Sequence, residues 1–212
     1  MEGAQVARQP IFDRELRIFG FELLFRSSPY ENFFRFPDAD RAVESLIHDS
    51  LHVFGLDRLS AGRWAFVNLT EKPLLGGIAR ELPKERVVVE ILETVRASEE
   101  VLEACRRLKE EGYVIALDDF ILDDAHRELV DLADIIKVDF LDERSDPRGL
   151  PQRLQGRDLM LLAEKLETAE SFRRALDWGY DLFQGNFFAP PEMLVLEAGE
   201  DPRFVVRRMV IF

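Results

Sequence analysis

Cysteine is nearly missing from this chain of 212 residues: only Cys105 is present, so no disulfide framework can form within one chain. Its setting, Val101-Leu102-Glu103-Ala104-Cys105, suits the buried face of a helix rather than a nucleophile. Long apolar runs are missing too. None approaches the roughly 18 residues needed to cross a bilayer, and no basic segment followed by an apolar stretch opens the chain, so a soluble, cytoplasmic protein without membrane attachment is expected. Positive charge is scarce. Lys and Arg number 28 against 41 Asp and Glu, a formal charge of -13, which argues against a broad DNA- or RNA-binding surface. A small anionic ligand stays compatible if metal ions stand between it and the carboxylates. Tracts rich in Pro, Gly or Ser, internal repeats and low-complexity segments are also lacking, so the chain reads as one domain over 1 to 212.

What is present is a rhythm of strands and helices. Two strands, 5 to 12 and 17 to 25, flank the polar turn Asp13-Arg14-Glu15 and form a hairpin, which makes them antiparallel. Later strands are expected at 63 to 69, 86 to 92, 113 to 119, 134 to 140, 158 to 165 and 181 to 188, each separated from the next by a helix and therefore parallel. The helices are expected at 39 to 54, 71 to 81, 98 to 112, 125 to 132, 147 to 154 and 168 to 179. Val43, Leu46, Ile47 and Leu51 mark one face of the first; Ser98 and Thr168 are N-caps, and Gly112 and Gly179 lie past C-terminal ends. Eight strands in this order predict an α/β fold, a (β/α)8 TIM-like barrel whose first strand is antiparallel. The apolar finish over 204 to 212 either packs on the barrel or leads into a segment that has been removed.

Polar groups stand at the downstream ends of these strands: Asn68, Glu90 and Glu93, Asp118-Asp119, Lys137, Glu164 and Gln184. Barrel enzymes place their chemistry at that end. Carboxylates and an amide are the oxygen ligands that Mg²⁺ and Mn²⁺ prefer. Of the adjacent aspartates, Asp118 is suited to bridging two ions while Asp119 holds one, and two ions about 3.5 to 4 Å apart can drive an in-line phosphodiester displacement. Lys137 would neutralise charge or orient water. The structural alternative is an ion-pair network of Lys137 with Asp118 or Glu164.

Several motifs, in order, resemble the EAL family of cyclic di-GMP phosphodiesterases. They are Gln9-Pro10-Ile11, Gly20-Phe21-Glu22-Leu23-Leu24-Phe25-Arg26, Val67-Asn68-Leu69-Thr70, Glu90-Ile91-Leu92-Glu93, Leu117-Asp118-Asp119-Phe120, Lys137-Val138-Asp139, Ala163-Glu164-Lys165-Leu166-Glu167 and Gln184-Gly185. The resemblance implies that Glu22, Asn68, Glu90 and Asp118 hold one metal and Asp118, Asp119 and Glu164 a second, the metal being Mg²⁺ or Mn²⁺. It also implies that Arg26 meets a ligand phosphate, Gln184 supports the site, and Lys137 and Glu164 serve hydrolysis of cyclic di-GMP to the linear dinucleotide pGpG.

Departures from the family pattern point the other way. Phe120-Ile121-Leu122-Asp123-Asp124 lacks the glycines that follow the aspartate pair in active members, and Ile121 and Leu122 resist backbone angles that glycine accepts. The family usually has glycine where Lys165 stands, and a cation there competes with the second metal. Glu93 loses the loop it customarily steadies. These features resemble the EAL half of proteins in which an HDOD domain follows, where the barrel is commonly a degenerate signalling module. The expectation is therefore a weakly catalytic or non-catalytic cyclic di-GMP module whose partner is a protein or an HDOD domain absent here, with homodimerisation kept open and the active phosphodiesterase as the alternative. His48 and His52 are spaced for metal on a helix but lack the glutamate of a His-Glu-x-x-His motif, so an exposed helix face is preferred. Phe33, Phe34 and Phe36 read as aromatics tucked into the barrel top, with a partner patch as the alternative, and Asp123-Asp124 as a solvated helix entry.

Overall fold

The computed structural model describes residues 5–25, 47, 55–122, 126–195 and 209–210. Its strands are β1 (Gln5–Asp13), β2 (Ile18–Phe25), β3 (Trp64–Leu69), β4 (Val87–Ile91), β5 (Val114–Leu117), β6 (Ile135–Asp139), β7 (Met160–Glu164), β8 (Leu182–Phe183), β9 (Glu192–Val195) and β10 (Met209–Val210). They form one sheet in the order β10-β9-β1-β2-β3-β4-β5-β6-β7-β8, and a further pairing of β1 with β8 closes the first eight into a barrel. β1 runs antiparallel to both β2 and β8, whereas β2 through β8 pair in parallel. The expected barrel with an antiparallel first strand is the one observed.

The closure is short. Only Phe12 and Asp13 of β1 meet Phe183 and Leu182 of β8. The opposite end of β1, Gln5 to Arg8, pairs instead with β9, and β9 with β10. These last two strands were not anticipated; Met209 and Val210 of the apolar finish lie on this added edge. Buried Arg8 fastens it: its guanidinium binds Glu192 of β9 at 2.6 Å, donates to the carbonyls of Arg58 and Leu59, and lies 4.2 Å from the centre of the Phe21 ring.

Helices between the strands are α1 (Leu56–Leu59), α2 (Glu71–Gly76), α3 (Glu99–Glu111), α4 (Arg127–Leu132), α5 (Leu150–Arg153) and α6 (Ala169–Trp178). The helix expected over 39 to 54 lies outside the described residues except for Ile47, which is helical and buried. Where one helix was expected over 71 to 81, left-handed Gly77 at φ 75° ends α2, and Ile78–Glu81 forms a 3₁₀ turn. α3 is fixed from both ends. The Ser98 hydroxyl accepts from Val101 N at 3.3 Å, Glu99 and Glu100 complement the amino-terminal dipole, and Gly112 at φ 90° provides the left-handed stop. Val101, Leu102, Cys105 and Leu108 form its buried stripe. Among the described residues, no helix is long and apolar enough to cross a membrane.

The two-residue period of a strand builds the interior in layers. Ile11, Phe66, Val88, Ala116, Ile135, Leu162 and Leu182 make an apolar plug. Two residues downstream on six of those strands, on the same face, stand Asn68, Glu90, Asp118, Lys137, Glu164 and Gln184. The intervening residues, such as Val67, Val89, Ile136 and Ala163, face the helices in a larger core. The polar layer therefore rests on a floor that water cannot enter, in which each buried Val, Leu, Ile or Phe contributes roughly 1.5 to 3 kcal/mol.

Two outcomes test this packing. Ser98→Ala should lower unfolding stability by about 1 kcal/mol in denaturant titrations, the usual cost of an N-cap. Burial pushes the Cys105 thiol up to about 11. At about pH 8 it should stay protonated and inert to a thiol reagent until the chain unfolds.

Candidate metal and ligand site at the barrel mouth

Lys137 stands at the centre of the polar layer. Its side chain is 1% exposed, and its Nζ lies 2.7 Å from Asp118 Oδ1, 2.9 Å from Glu164 Oε1 and 3.7 Å from Glu22 Oε1, and also contacts Glu90 Oε1. The alternative raised from the sequence, an ion-pair network on Lys137, is thus present, and it contains four of the proposed metal ligands. Amides complete the layer. Gln184 Nε2 donates to Glu22 Oε2 at 2.7 Å and to Gln9 Oε1 at 3.2 Å, Asn68 Nδ2 donates to Glu22 Oε1 at 3.3 Å, and Gln9 Nε2 reaches Ala189 O at 3.1 Å. Gln9 was quoted only inside the Gln9-Pro10-Ile11 motif and given no role, although it lies two residues from Ile11 on β1 and so shares its face.

The electrostatics follow from burial. Removal from water raises Glu90 and Glu164 well above ordinary carboxylates, and the nearby ammonium of Lys137 only partly offsets it. For Asp118 burial also acts upward, but the charge and hydrogen bond of Lys137 prevail and hold it low. Lys137 shows the converse balance: burial opposes its charge, and Asp118, Glu164, Glu22 and Glu90 raise it well above an ordinary lysine. One ammonium serves four carboxyl groups, two of which, Glu90 and Glu164, are shifted toward the neutral form, so full ionisation of the cluster calls for further positive charge.

Within this layer three buried oxygens have no hydrogen-bond partner: Asn68 Oδ1, Glu90 Oε2 and Gln184 Oε1. Buried acceptors are ordinarily satisfied, and these sit among carboxylates; Gln184, Glu22, Asp118 and Glu164 also line a cavity of about 360 Å³. A hard divalent cation at the position framed by Glu22, Asn68, Glu90 and Asp118 would engage the free oxygens of Asn68 and Glu90 and add positive charge. Glu22, Asp118, Asp119, Glu164, Lys165 and Gln184 all line this cavity, with Leu24, Leu141 and Pro191 as apolar wall.

The other half of the mouth differs. Asp119 follows β5 in left-handed backbone, φ 42°, and Lys165 follows β7 in the same region, φ 54°. Lys165 Nζ donates to both oxygens of Asp119, at 3.1 and 3.2 Å, and to Asp139 Oδ2 at 2.5 Å. Asp139 was quoted only inside a motif, yet alternation places it on the face of Lys137. Glu93 lies on the far side, with carboxylate oxygens of Glu93, Asp118 and Asp119 within 4.8 Å of one another. A second cavity of about 400 Å³ opens there, lined by Glu93, Phe120, Ile121 and His126. Gly185 closes the first cavity's rim at φ 153°; a Cβ on it would lie 2.2 Å from the Leu166 carbonyl oxygen, so only glycine allows the chain to turn directly after Gln184. Arg26, His48, His52, Phe33, Phe34, Phe36, Asp123 and Asp124 lie outside the described residues.

No protein-family model matches the chain. The uncharacterized protein YuxH of Bacillus subtilis is 36% identical over 195 residues, which are 89% of this chain and 47% of YuxH. The cyclic di-GMP phosphodiesterase CdgJ of Vibrio cholerae is 36% identical over 194 residues, 89% of this chain and 44% of CdgJ. The chain thus spans about half the length of the curated relatives it matches. Among solved structures, Bacillus subtilis YkuI, which has an EAL domain and was crystallised with cyclic di-GMP and calcium, superposes with a TM-score of 0.67 at 20% identity, covering 88% of this chain and 55% of that one.

Lys137→Met tests the ammonium's part in the fold. With its four carboxylates left unpaired, the metal-free protein should lose about 3 kcal/mol or more of unfolding stability. Added Mn²⁺ should restore part of it in a thermal melt.

Proposed function

Since this chain belongs to the EAL domain family, we propose that it is a cyclic di-GMP signalling module whose barrel mouth holds a divalent cation and the cyclic dinucleotide, with weak or absent hydrolysis. The observation that carries this reading is the pair of unpartnered buried oxygens, Asn68 Oδ1 and Glu90 Oε2, beside Glu22 and Asp118. A bound Mg²⁺ or Mn²⁺ would polarise a phosphodiester oxygen and favour deprotonation of water. The chain's own groups do the rest. Lys137 opposes charge that develops on the phosphate, Glu164 beside it is placed to accept a proton, Gln184 holds Glu22 in position, and Arg26, one residue past β2, meets a ligand phosphate.

Hydrolysis is expected to be poor because the set Asp118, Asp119 and Glu164, which a second ion would require, is partly taken. Lys165 holds Asp119, Lys137 holds Glu164, and no glycine softens Ile121-Leu122. Loss of about 4 kcal/mol of transition-state stabilisation slows turnover about a thousandfold. Binding need not suffer equally, since it depends less on sub-ångström placement. The signal then passes to a protein partner or an HDOD domain, or through a homodimer. The alternative, active hydrolysis to pGpG, is favoured by the 36% identity to a protein named a cyclic di-GMP phosphodiesterase.

The test is calorimetric titration with cyclic di-GMP, with and without Mn²⁺, followed by chromatography of the products. Cation-dependent binding that Glu22→Ala abolishes, with little pGpG, is the expected result. Turnover at ordinary enzyme rates, lost in Glu22→Ala, would establish the alternative. No binding under either condition would remove cyclic di-GMP as the ligand.

A further inference from the structure

The ends of three adjacent strands are joined by one ammonium. Asp119 just after β5, Asp139 at the end of β6 and Lys165 just after β7 meet at Lys165 Nζ, which is bonded to both oxygens of Asp119 and to Asp139 Oδ2. Two of the three residues are in left-handed backbone although neither is glycine or asparagine. Such conformations are retained where surrounding contacts over-determine them, and here the contact is the ion pair that the two residues make with each other. Asp139 is not free to turn away: its Oδ1 accepts from Leu141 N at 2.7 Å.

The placement matters because of what Asp119 would otherwise meet. Its carboxylate stands beside Asp118 with Glu93 across from it, their oxygens close enough to converge on one ion. With Lys165 bound bidentately, both oxygens of Asp119 are engaged. The two halves of the mouth therefore differ. On the Glu22 side the ammonium of Lys137 leaves buried oxygens of Asn68 and Glu90 unpartnered, whereas on the Asp119 side both carboxylate oxygens of Asp119 accept from Lys165.

We infer that Lys165 is a tethered resident cation: it occupies Asp119 in place of a second divalent ion and makes the chain a one-cation protein. The inference rests on the proposed cation position at Glu22, Asn68, Glu90 and Asp118. It assigns Lys165 a positioning role, governing how many ions the mouth accepts. The Lys165 side chain is 44% exposed, whereas that of Lys137 is 1% exposed, so a substitution at Lys165 removes the charge without opening the core.

The experiment is a titration of metal-free protein with Mn²⁺ alone, with free Mn²⁺ followed by electron paramagnetic resonance and binding heats by calorimetry, for wild type, Lys165→Arg, Lys165→Met and Lys165→Gly. Wild type and Lys165→Arg should bind one equivalent. Lys165→Met, which keeps the aliphatic stem, and Lys165→Gly, which also relieves the left-handed backbone, should each bind two, the second strengthened by roughly tenfold or more, a factor equivalent to about 1.4 kcal/mol. Circular dichroism confirms that each variant is folded. Two equivalents in the wild type overturn the inference, and so does one equivalent in every variant, while both results leave the first cation position standing. Absence of Mn²⁺ binding in the wild type sinks the first position and this inference together.

Discussion

The ammonium of Lys137, carried by β6, lies within 3.7 Å of carboxylates from Glu22, Glu90, Asp118 and Glu164, and the upper half of the barrel is organised around it. Burying so many acids on an apolar floor is costly unless opposite charge and hydrogen bonds are supplied in the same place. Lys137 supplies the charge; the amides of Asn68 and Gln184 supply the hydrogen bonds. A chain assembled for stability alone would continue the apolar plug upward, since well-packed hydrophobic residues commonly do as well as or better than a buried ion cluster. The polar layer stands two residues above Phe66, Val88, Ala116, Ile135, Leu162 and Leu182, so its cost has been accepted at every strand in turn. That repetition is the physical argument for a site.

The antiparallel first strand gives this layer its access. A barrel closed along the full length of β1 and β8 would seal its mouth between them, but the pairing is confined to Phe12 and Asp13, after which β1 turns its hydrogen bonds to β9. Gln9 and Gln184 span the gap with a side-chain bond in place of backbone pairing. The cavity opens at this seam, with Gln9, Glu22, Gln184 and Gly185 on its wall. Arg8 fastens β9 to β1 beside the seam by binding Glu192 and the carbonyls at the end of α1. The access route and the added sheet edge are thus one feature of β1.

Much of this was legible because period-two alternation is a local signal. Apolar runs ending in Asn68, Glu90, Asp118, Lys137 and Glu164 gave both the strands and the residues that converge, and the hairpin turn gave the reversed first strand. The same rule, applied two residues either way, would have found Gln9 from Ile11 and Asp139 from Lys137. The rest depends on partners far apart in sequence. β9 and β10 are four and two residues long. Their identity as strands comes from pairing with β1, which no local pattern announces. Arg8 reads locally as an exposed strand residue; its burial depends on Glu192 and on helix α1, a four-residue turn too short to show a period. The final strand was drawn too long because Gly185 turns the chain directly after Gln184, ahead of the apolar pair Phe187-Phe188.

Retention of every proposed ligand residue leaves catalysis open, because the two ammonium groups treat their carboxylates differently. Lys137 is enclosed, has no solvent to retreat into, and shares its charge among four acids, so each keeps capacity for a further positive partner. Lys165 is half exposed and gives its charge to two acids, bonding both oxygens of Asp119. A buried shared cation primes its neighbours to attract an ion, whereas a surface cation bound bidentately competes with one. The mouth is therefore asymmetric in charge although every proposed ligand residue is retained. On the proposed reading this asymmetry separates binding from turnover: a dinucleotide phosphate needs positive charge somewhere in the cavity, which one ion and Lys165 on the cavity wall provide, while in-line displacement needs charge on both sides of the phosphorus.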